Sequence, residues 1–355
     1  MKKIFTIGAV LLLTTTAATA GGLDRSGQDI GAIFEDGGYV ELSYGNVSPS
    51  VSGSFLITSE SGNIAPSYGA VGIAFKTDIN DKVSMAVIMD QPFGAAVEYA
   101  SADVTYPING TSAHVNSTAI TLVGRYKLSD NLSMFAGPRL LSAEGDYTLI
   151  AGGVPLYGSV YASGSGTGYV AGVAYERKEI AMRVALTYSS AIDLELVGSA
   201  GDLLARMPAS VNLDFQSGVA ANTLIFGSIR WADWSDAQIV DSLFGDLVTY
   251  DQDTVTYALG VGRKFSDTFS GALSVGYERA QGGIASNLSP TDGNMSIGLG
   301  GTYTMDNGVE LTGGVRYVMA GDATTSIEVP GAGVFPAEFA DNYAIAVGLK
   351  VAYTY

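Results

Sequence analysis

The chain has 355 residues, a formal charge of −17 and no cysteine. That balance argues against nucleic acid and anionic lipid headgroups as partners, because both demand clustered Lys and Arg; it also excludes disulfides as a source of stability. Charged residues are only 15% of the chain while Gly numbers 46 and Tyr 20, a mixture poor in helix formers and rich in strand and turn residues.

The first element, residues 1–20, reads as a cleaved secretion signal. Lys2 and Lys3 give the positive start, Ile4 to Leu13 the apolar run, and Ala18-Thr19-Ala20 the small-residue cleavage pattern. A helix needs ~20 apolar residues to span a bilayer, so this run does not anchor the protein. Next comes a short segment, 21–37, in which Asp24, Arg25, Asp29, Glu35 and Asp36 are mixed with Ile30, Ile33 and Phe34. It is expected to fold as a plug into the lumen formed by residues 38–355, its acids (Asp29, Glu35) meeting inward arginines; the alternative is a disordered periplasmic tail.

Residues 38–355 show period-two alternation in fourteen stretches. Met295, Ile297, Leu299 and Tyr303 share one face against Ser296, Gly298, Gly300 and Thr302, and the last stretch runs Tyr343, Ile345, Val347, Leu349, Val351, Tyr353, Tyr355. The connections are of two alternating kinds. Asn80-Asp81, Ser129-Asp130-Asn131, Arg177-Lys178-Glu179, Ala221-Asn222, Ser266-Asp267 and Asp306-Asn307-Gly308 are short turns. Residues 48–66, 91–114, 145–166, 191–208, 233–253, 279–293 and 319–341 are predicted as long loops. This is the layout of an all-β fold, a transmembrane antiparallel β-barrel of about 14 strands in the outer membrane of a Gram-negative cell.

A soluble sandwich would also alternate, but its second face would carry charge. Here that face is mostly Gly, Ala, Ser and Thr, which suits a lumen. Aromatic residues such as Tyr44, Tyr188, Tyr277, Tyr126, Tyr175 and Tyr303 gather at opposite strand ends as two girdles. The register follows from cost. Arg125, Arg139, Arg183, Arg230, Arg316 and Lys350 all point inward in it, and a slip of one residue would put the set against lipid at ~2–4 kcal/mol each near mid-membrane.

Catalytic chemistry has little support. His114 is single and is expected at a loop end; Trp231 and Asp233-Trp234-Ser235 suit girdle and loop-base roles. Asp241, Asp246, Asp251 and Asp253 fit no calcium-loop spacing and read as solvated surface. Gly152-Gly153 and Gly164-Ser165-Gly166 read as flexible linkers. No catalytic residue, metal or cofactor is predicted. The inward Phe135, Leu141, Leu224 and Phe226 suit a passage for an apolar ligand, and packing against the plug explains them equally well.

Several segments resemble the FadL-type outer-membrane long-chain fatty acid transporters. Gly21-Gly22-Leu23-Asp24-Arg25-Ser26-Gly27 is similar to the hatch start. Asn80-Asp81-Lys82-Val83-Ser84-Met85-Ala86 with Gln91-Pro92-Phe93-Gly94-Ala95 is similar to the second turn and the third strand; Pro208 to Leu213 and Gly227 to Ser235 are similar to the eighth and ninth strands. The hatch here is shorter and lacks the family's Asn-Pro-Ala. The resemblance implies passive uptake of a fatty acid or other small hydrophobic compound, captured among extracellular loops and released sideways into outer-membrane lipid where the third strand is kinked. Pro92 lacks an N–H and Gly94 permits the bend, so the opening is expected beside Pro92, Phe93 and Gly94, with Phe34 among the passage residues. A monomer without cofactor is expected; the alternative is a general porin for polar solutes.

Overall fold

The computed structural model describes residues 23–56 and 58–355, so the predicted signal lies outside the described residues. Fourteen strands close into an antiparallel barrel. They are β1 (Tyr39–Ser50), β2 (Tyr68–Asn80), β3 in two pieces (Val83–Asp90 and Gly94–Glu98), β4 (Ser112–Lys127), β5 (Leu132–Ala151), β6 (Val154–Arg177), β7 (Met182–Ser189), β8 (Ser210–Ala220), β9 (Thr223–Ala232), β10 (Thr254–Lys264), β11 (Phe269–Glu278), β12 (Asn294–Thr304), β13 (Val309–Ala320) and β14 (Tyr343–Thr354). Each pairs with its sequence neighbour, and β1 closes on β14 from Tyr39↔Thr354 to Ser50↔Tyr343. Closure leaves no unpartnered end strand, which a membrane-spanning sheet requires.

Burial alternates as the cost of misplaced arginines predicts. Leu42, Ile73, Val87, Leu122, Val275, Leu299 and Val347 are exposed on the outer face, where lipid wets them. Arg125, Arg139, Arg230 and Lys350 are buried on the inner face. Tyrosines pair in the upper girdle as Tyr257–Tyr277 and Tyr317–Tyr343, with ring centroids 6.5 and 5.7 Å apart.

One predicted loop is not a loop. Residues 145–166 continue β5 and β6 upward as a long hairpin, paired as far as Ala151↔Val154 and turning at Gly152-Gly153, whose φ angles are +57° and +78°. Two successive positive φ values make the tight turn that matches strand twist. Gly164 and Gly166 are therefore strand residues and not linkers: a Cβ on either would strike the backbone oxygens of Glu195 and Asp193. Their bareness lets the loop strand Ile192–Leu196 lie against the inner face of β6. His114 likewise sits within β4 and not at a loop end.

Predicted loop 91–114 is strand in part, carrying the upper piece of β3 and the start of β4, and the other five build two caps over the mouth. Ile192–Leu196, Leu203–Met207, Gln238–Asp241 and Gly245–Thr249 form a four-stranded sheet. Gly53–Phe55, Ser59–Glu60, Ile284–Ala285, Ala323–Val329 and Gly333–Phe339 form a five-stranded one. The acids expected to be solvated serve these loops: Asp241 accepts from Tyr157 Oη at 2.6 Å and Tyr161 Oη at 2.8 Å, and Asp253 accepts from Trp231 Nε1 at 3.1 Å.

Candidate functional site

The described part of the N-terminal segment, from Leu23, lies inside the barrel. It ends in a single 3₁₀ turn, Gly31–Phe34, whose Ile33 and Phe34 pack with Ile30 on Ala74, Ala86, Ile88, Val123 and Phe135 of the wall. Phe34 meets Phe135 edge-on at 5.5 Å and carries the guanidiniums of Arg125 and Arg183, each 4.8 Å from its ring centre. Aromatic faces attract cations, more strongly where water is excluded. Phe34 and Phe135 are thus plug packing.

The plug's charge pairing differs from the expected one in its partners. Asp24, not Asp29 or Glu35, makes the ion pair with Arg230, at 2.6 Å with both side chains nearly buried. Asp29 turns back to cap the Gly31 N–H at 2.7 Å, and Glu35 meets Arg183 and Lys350 only through longer-range attraction. Arg139 donates to Gln28 of the plug and, at 2.8 Å, to Thr121. Arg125 pairs with Glu176 within the wall. Arg316 keeps a buried Nε without a hydrogen-bond partner and, with Arg183 and Arg230, faces a lumen cavity of about 90 Å³ that Asp29, Phe34 and Asp214 also line.

The third strand breaks at Gln91-Pro92-Phe93. Its lower piece pairs with β4 as Asp90↔Ala119, its upper piece as Gly94↔Asn116, so the break inserts one extra residue into β3. On the other side, pairing with β2 stops at Ile73↔Met89; the upper part of β2, from Tyr68 to Gly72, pairs with β1 alone. Ser117 replaces the missing ladder at the break: its hydroxyl accepts from the Phe93 N–H at 2.9 Å and donates to the Phe93 carbonyl at 2.7 Å. Gln91 Oε1 satisfies the Val71 N–H at 2.9 Å.

The plug start enters this break as a short added strand. Arg25 N–H donates to the Pro92 carbonyl at 2.7 Å, Gly94 N–H donates to the Leu23 carbonyl at 2.9 Å, and Asp24 stands opposite Phe93. The Arg25 guanidinium lies 4.0 Å over the Tyr68 ring of β2 and against Gly94 of β3, where any Cβ would collide with it. It therefore spans the two strand segments that fail to pair. Ser26 Oγ adds a 2.5 Å bond to Asp90.

Cavities flank this latch above and below. The upper one, at the mouth, is about 70 Å³ and almost wholly apolar; Leu23, Phe93, Ala95, Leu141, Leu194, Leu203, Met207 and Val248 line it. Behind Phe93 stands Trp234, fully buried, with its ring 6.3 Å from Phe93 and 4.8 Å from Tyr250. The second, about 120 Å³, is lined by lumen-facing Glu41, Asp90 and Lys350 and also by Tyr44, Val71 and Met89 of the lipid-facing set. Of the predicted passage residues, Pro92, Phe93, Gly94 and Leu141 come together here. Leu224 and Phe226 lie elsewhere, in a small cluster with Ala272 and Ala181 beside the periplasmic turns.

Residue-by-residue reading did not single out Arg25 as the latch, Ser117 as the splint or Tyr250 at the mouth. For Ser117 a signal exists: a break made by a proline needs a nearby hydroxyl or amide to satisfy the stranded backbone groups.

The chain's sequence from residue 37 to 355 matches the family model described as outer membrane protein transport protein (OMPP1/FadL/TodX). No curated protein sequence matches it. Its fold is similar to that of a Pseudomonas aeruginosa FadL homologue, with a TM-score of 0.75 at 14% identity over 95% of this chain and 96% of that one. It is also similar to the P. putida toluene transporter TodX (TM-score 0.69, 13% identity, 90% and 91% covered) and to the Ralstonia pickettii toluene transporter TbuX (0.65, 12%, 99% and 95%). With nine-tenths of its length matched, the chain belongs to the OMPP1/FadL/TodX family of outer-membrane proteins, transporters of hydrophobic compounds and not enzymes.

Proposed function

We propose that the protein takes up small hydrophobic molecules, fatty acids or other apolar compounds, by passive diffusion: capture in the mouth pocket, passage beside the plug start, and exit through the gap between β2 and β3 into the bilayer. The observation that carries this reading is that two lining residues of the apolar mouth pocket, Leu23 and Phe93, are also the residues that close the strand break. A ligand settling there presses on the latch itself. Beyond the latch, a cavity with both lumen-facing and lipid-facing walls leads outward. Lateral release has a thermodynamic reason, since an apolar solute gains ~0.8 kcal/mol for each CH₂ kept out of water, a gain forfeited in the periplasm. TodX and TbuX, both toluene transporters, support the ligand class.

The rival reading is a general porin for polar solutes, in which a water-filled lumen conducts ions. Planar-bilayer recording separates the two. The plugged barrel should pass little steady current while proteoliposomes or cells take up a fluorescent hydrophobic probe; large stable conductance steps without probe uptake would sink the transport reading.

A further inference from the structure

Between the mouth pocket and the gap lies a third cavity, about 80 Å³, enclosed by the plug start, the first loop, the upper piece of β3 and the 279–293 loop. Leu23, Ala95, Leu288 and Ser289 line both it and the mouth pocket. On its other side it shares a single lining residue, Arg25, with the gap cavity. Arg25 is thus the partition on the way from the mouth to the gap. Among the described residues, Arg25 and Lys350 are the only cations that line any of the three cavities.

Of these two, Lys350 is engaged, holding Glu41 at 3.1 Å. Arg25 is not: among the described residues its guanidinium has no carboxylate within ion-pair distance and no hydrogen-bond acceptor, only the Tyr68 ring at 4.0 Å. The acceptors beside it are taken, Asp24 by Arg230, Asp90 by the Ser26 hydroxyl and Gln91 by the Val71 N–H. Stacking on a ring occupies the face of a guanidinium and leaves its fork of N–H donors free. The acceptor that matches that fork in geometry and charge is a carboxylate, and a cation held in a largely buried place without one is costly. The same residue closes the latch: its N–H donates to the Pro92 carbonyl at 2.7 Å and its guanidinium rests against Gly94. A head group that draws the guanidinium away therefore pulls on the closure itself.

Resting on the transport reading above, we propose that Arg25 recognises the carboxylate head group of an amphipathic ligand arriving from the mouth, and that this pairing, stronger with the plug start released, opens the latch. The seam is then opened by the molecule that it admits, since a ligand shifts a two-state equilibrium by its differential affinity for the two states. Neutral ligands reach the same place but do not trigger it.

Octanoate and 1-octanol, matched in chain length, test this on the full-length protein at neutral pH in an uncharged detergent, which offers no competing lipid phosphate. The ratio of octanoate to octanol affinity, from calorimetry, should fall about tenfold in Arg25→Gln, the worth of a charge-assisted pair. Arg25→Lys keeps the charge without the fork and should recover part of that fall. Hydrogen exchange over residues 23–26 should quicken in wild type when octanoate is added and not when 1-octanol is, and octanoate should add nothing in Arg25→Gln. Octanol binding shows that a variant has folded. An affinity ratio that Arg25→Gln leaves where it was, no octanoate binding in wild type, or a plug start whose exchange octanoate slows or leaves alone would overturn the proposal. Should the fluorescent probe also fail to be taken up, the transport reading falls as well; uptake of that probe with an affinity ratio indifferent to Arg25 leaves transport standing and removes only the trigger.

Discussion

Two seams of the barrel, one on either side of the β1–β2 pair, make opposite choices. The seam between β1 and β14 joins the two ends of the barrel chain, so its closure entropy is the largest of all, yet it pairs without interruption from Tyr39↔Thr354 to Ser50↔Tyr343. The seam between β2 and β3 joins sequence neighbours across the tight Asn80-Asp81 turn and should be the easiest to zip. It stops at Ile73↔Met89. The gap is therefore not fraying at a weak point of the topology. It is built, by a proline that cannot donate, by the Ser117 hydroxyl that splints Phe93, and by a foreign segment, Leu23–Arg25, that occupies the edge. Proteins break a local rule in this way mainly where function needs it.

The sharpest way to break the comparison is to make the second seam as permanent as the first. Asp24 and Phe93 are opposed across two flanking backbone bonds, the close type of antiparallel pair that accepts a disulfide. The chain has no cysteine of its own, so Asp24→Cys with Phe93→Cys introduces one defined tether. Oxidised protein should lose essentially all uptake of a hydrophobic probe and regain it on reduction. Uptake that persists through oxidation would mean that the solute takes another route.

A smaller effect is expected from loosening the latch. Asp24→Asn keeps the shape but removes the charge that faces Arg230, a buried cation that also donates to Ser210 at 2.9 Å and Asn212 at 2.7 Å. Because those two bonds survive, the cost should be ~2 kcal/mol, below that of a fully stranded buried charge. That amount shifts the plug's opening equilibrium about thirtyfold, measurable as faster hydrogen exchange and protease trimming over residues 23–36. The β1–β14 amides should not change; if they exchange faster too, the variant has weakened the whole barrel and the two seams are not independent.

Much of this arrangement was legible in the sequence because each level agreed with the next. Alternation, turn residues, aromatic ends and inward arginines all specify one register, and Pro92 with Gly94 marks the break by backbone chemistry alone. The β5–β6 hairpin was hidden because above the membrane its outer face mixes polar Glu144, Ser163 and Ser165 with exposed Val154, Leu156 and Val160, which in sequence looks like a loop; the Gly152-Gly153 pair, with two positive φ values, was its one sign. The plug's partners were hidden for another reason. Asp24, Asp29 and Glu35 are equivalent by composition, and what selects Asp24 for Arg230 is the edge pairing of Leu23–Arg25 with β3, a long-range contact that periodicity does not encode. Tyr250 was unreadable in an acidic loop until the fold set its ring against Trp234 at the mouth.

The mildest test concerns what holds the upper piece of β3 from its paired side. His114 of β4 bridges Glu98 of that piece and Asp146 of β5, at 2.9 and 3.0 Å, above the lipid-facing band. Partial burial works against the imidazolium, but the hydrogen bonds and charges of Asp146 and Glu98 outweigh it and raise the His114 pKa. A raised folded-state value means that the clamp contributes fully below the unfolded value of ~6.5 and is lost as pH rises through the folded one. The trio is partly exposed, so solvent and salt screen it and the effect is small. Protection factors for amides 94–98, corrected for intrinsic exchange, should therefore fall modestly from about pH 6 to about pH 9, and His114→Gln should abolish that fall. If protection instead rises with pH in the wild type, the upper piece is held by its backbone pairing with β4 alone, and its asymmetry with the open β2 side owes nothing to the histidine.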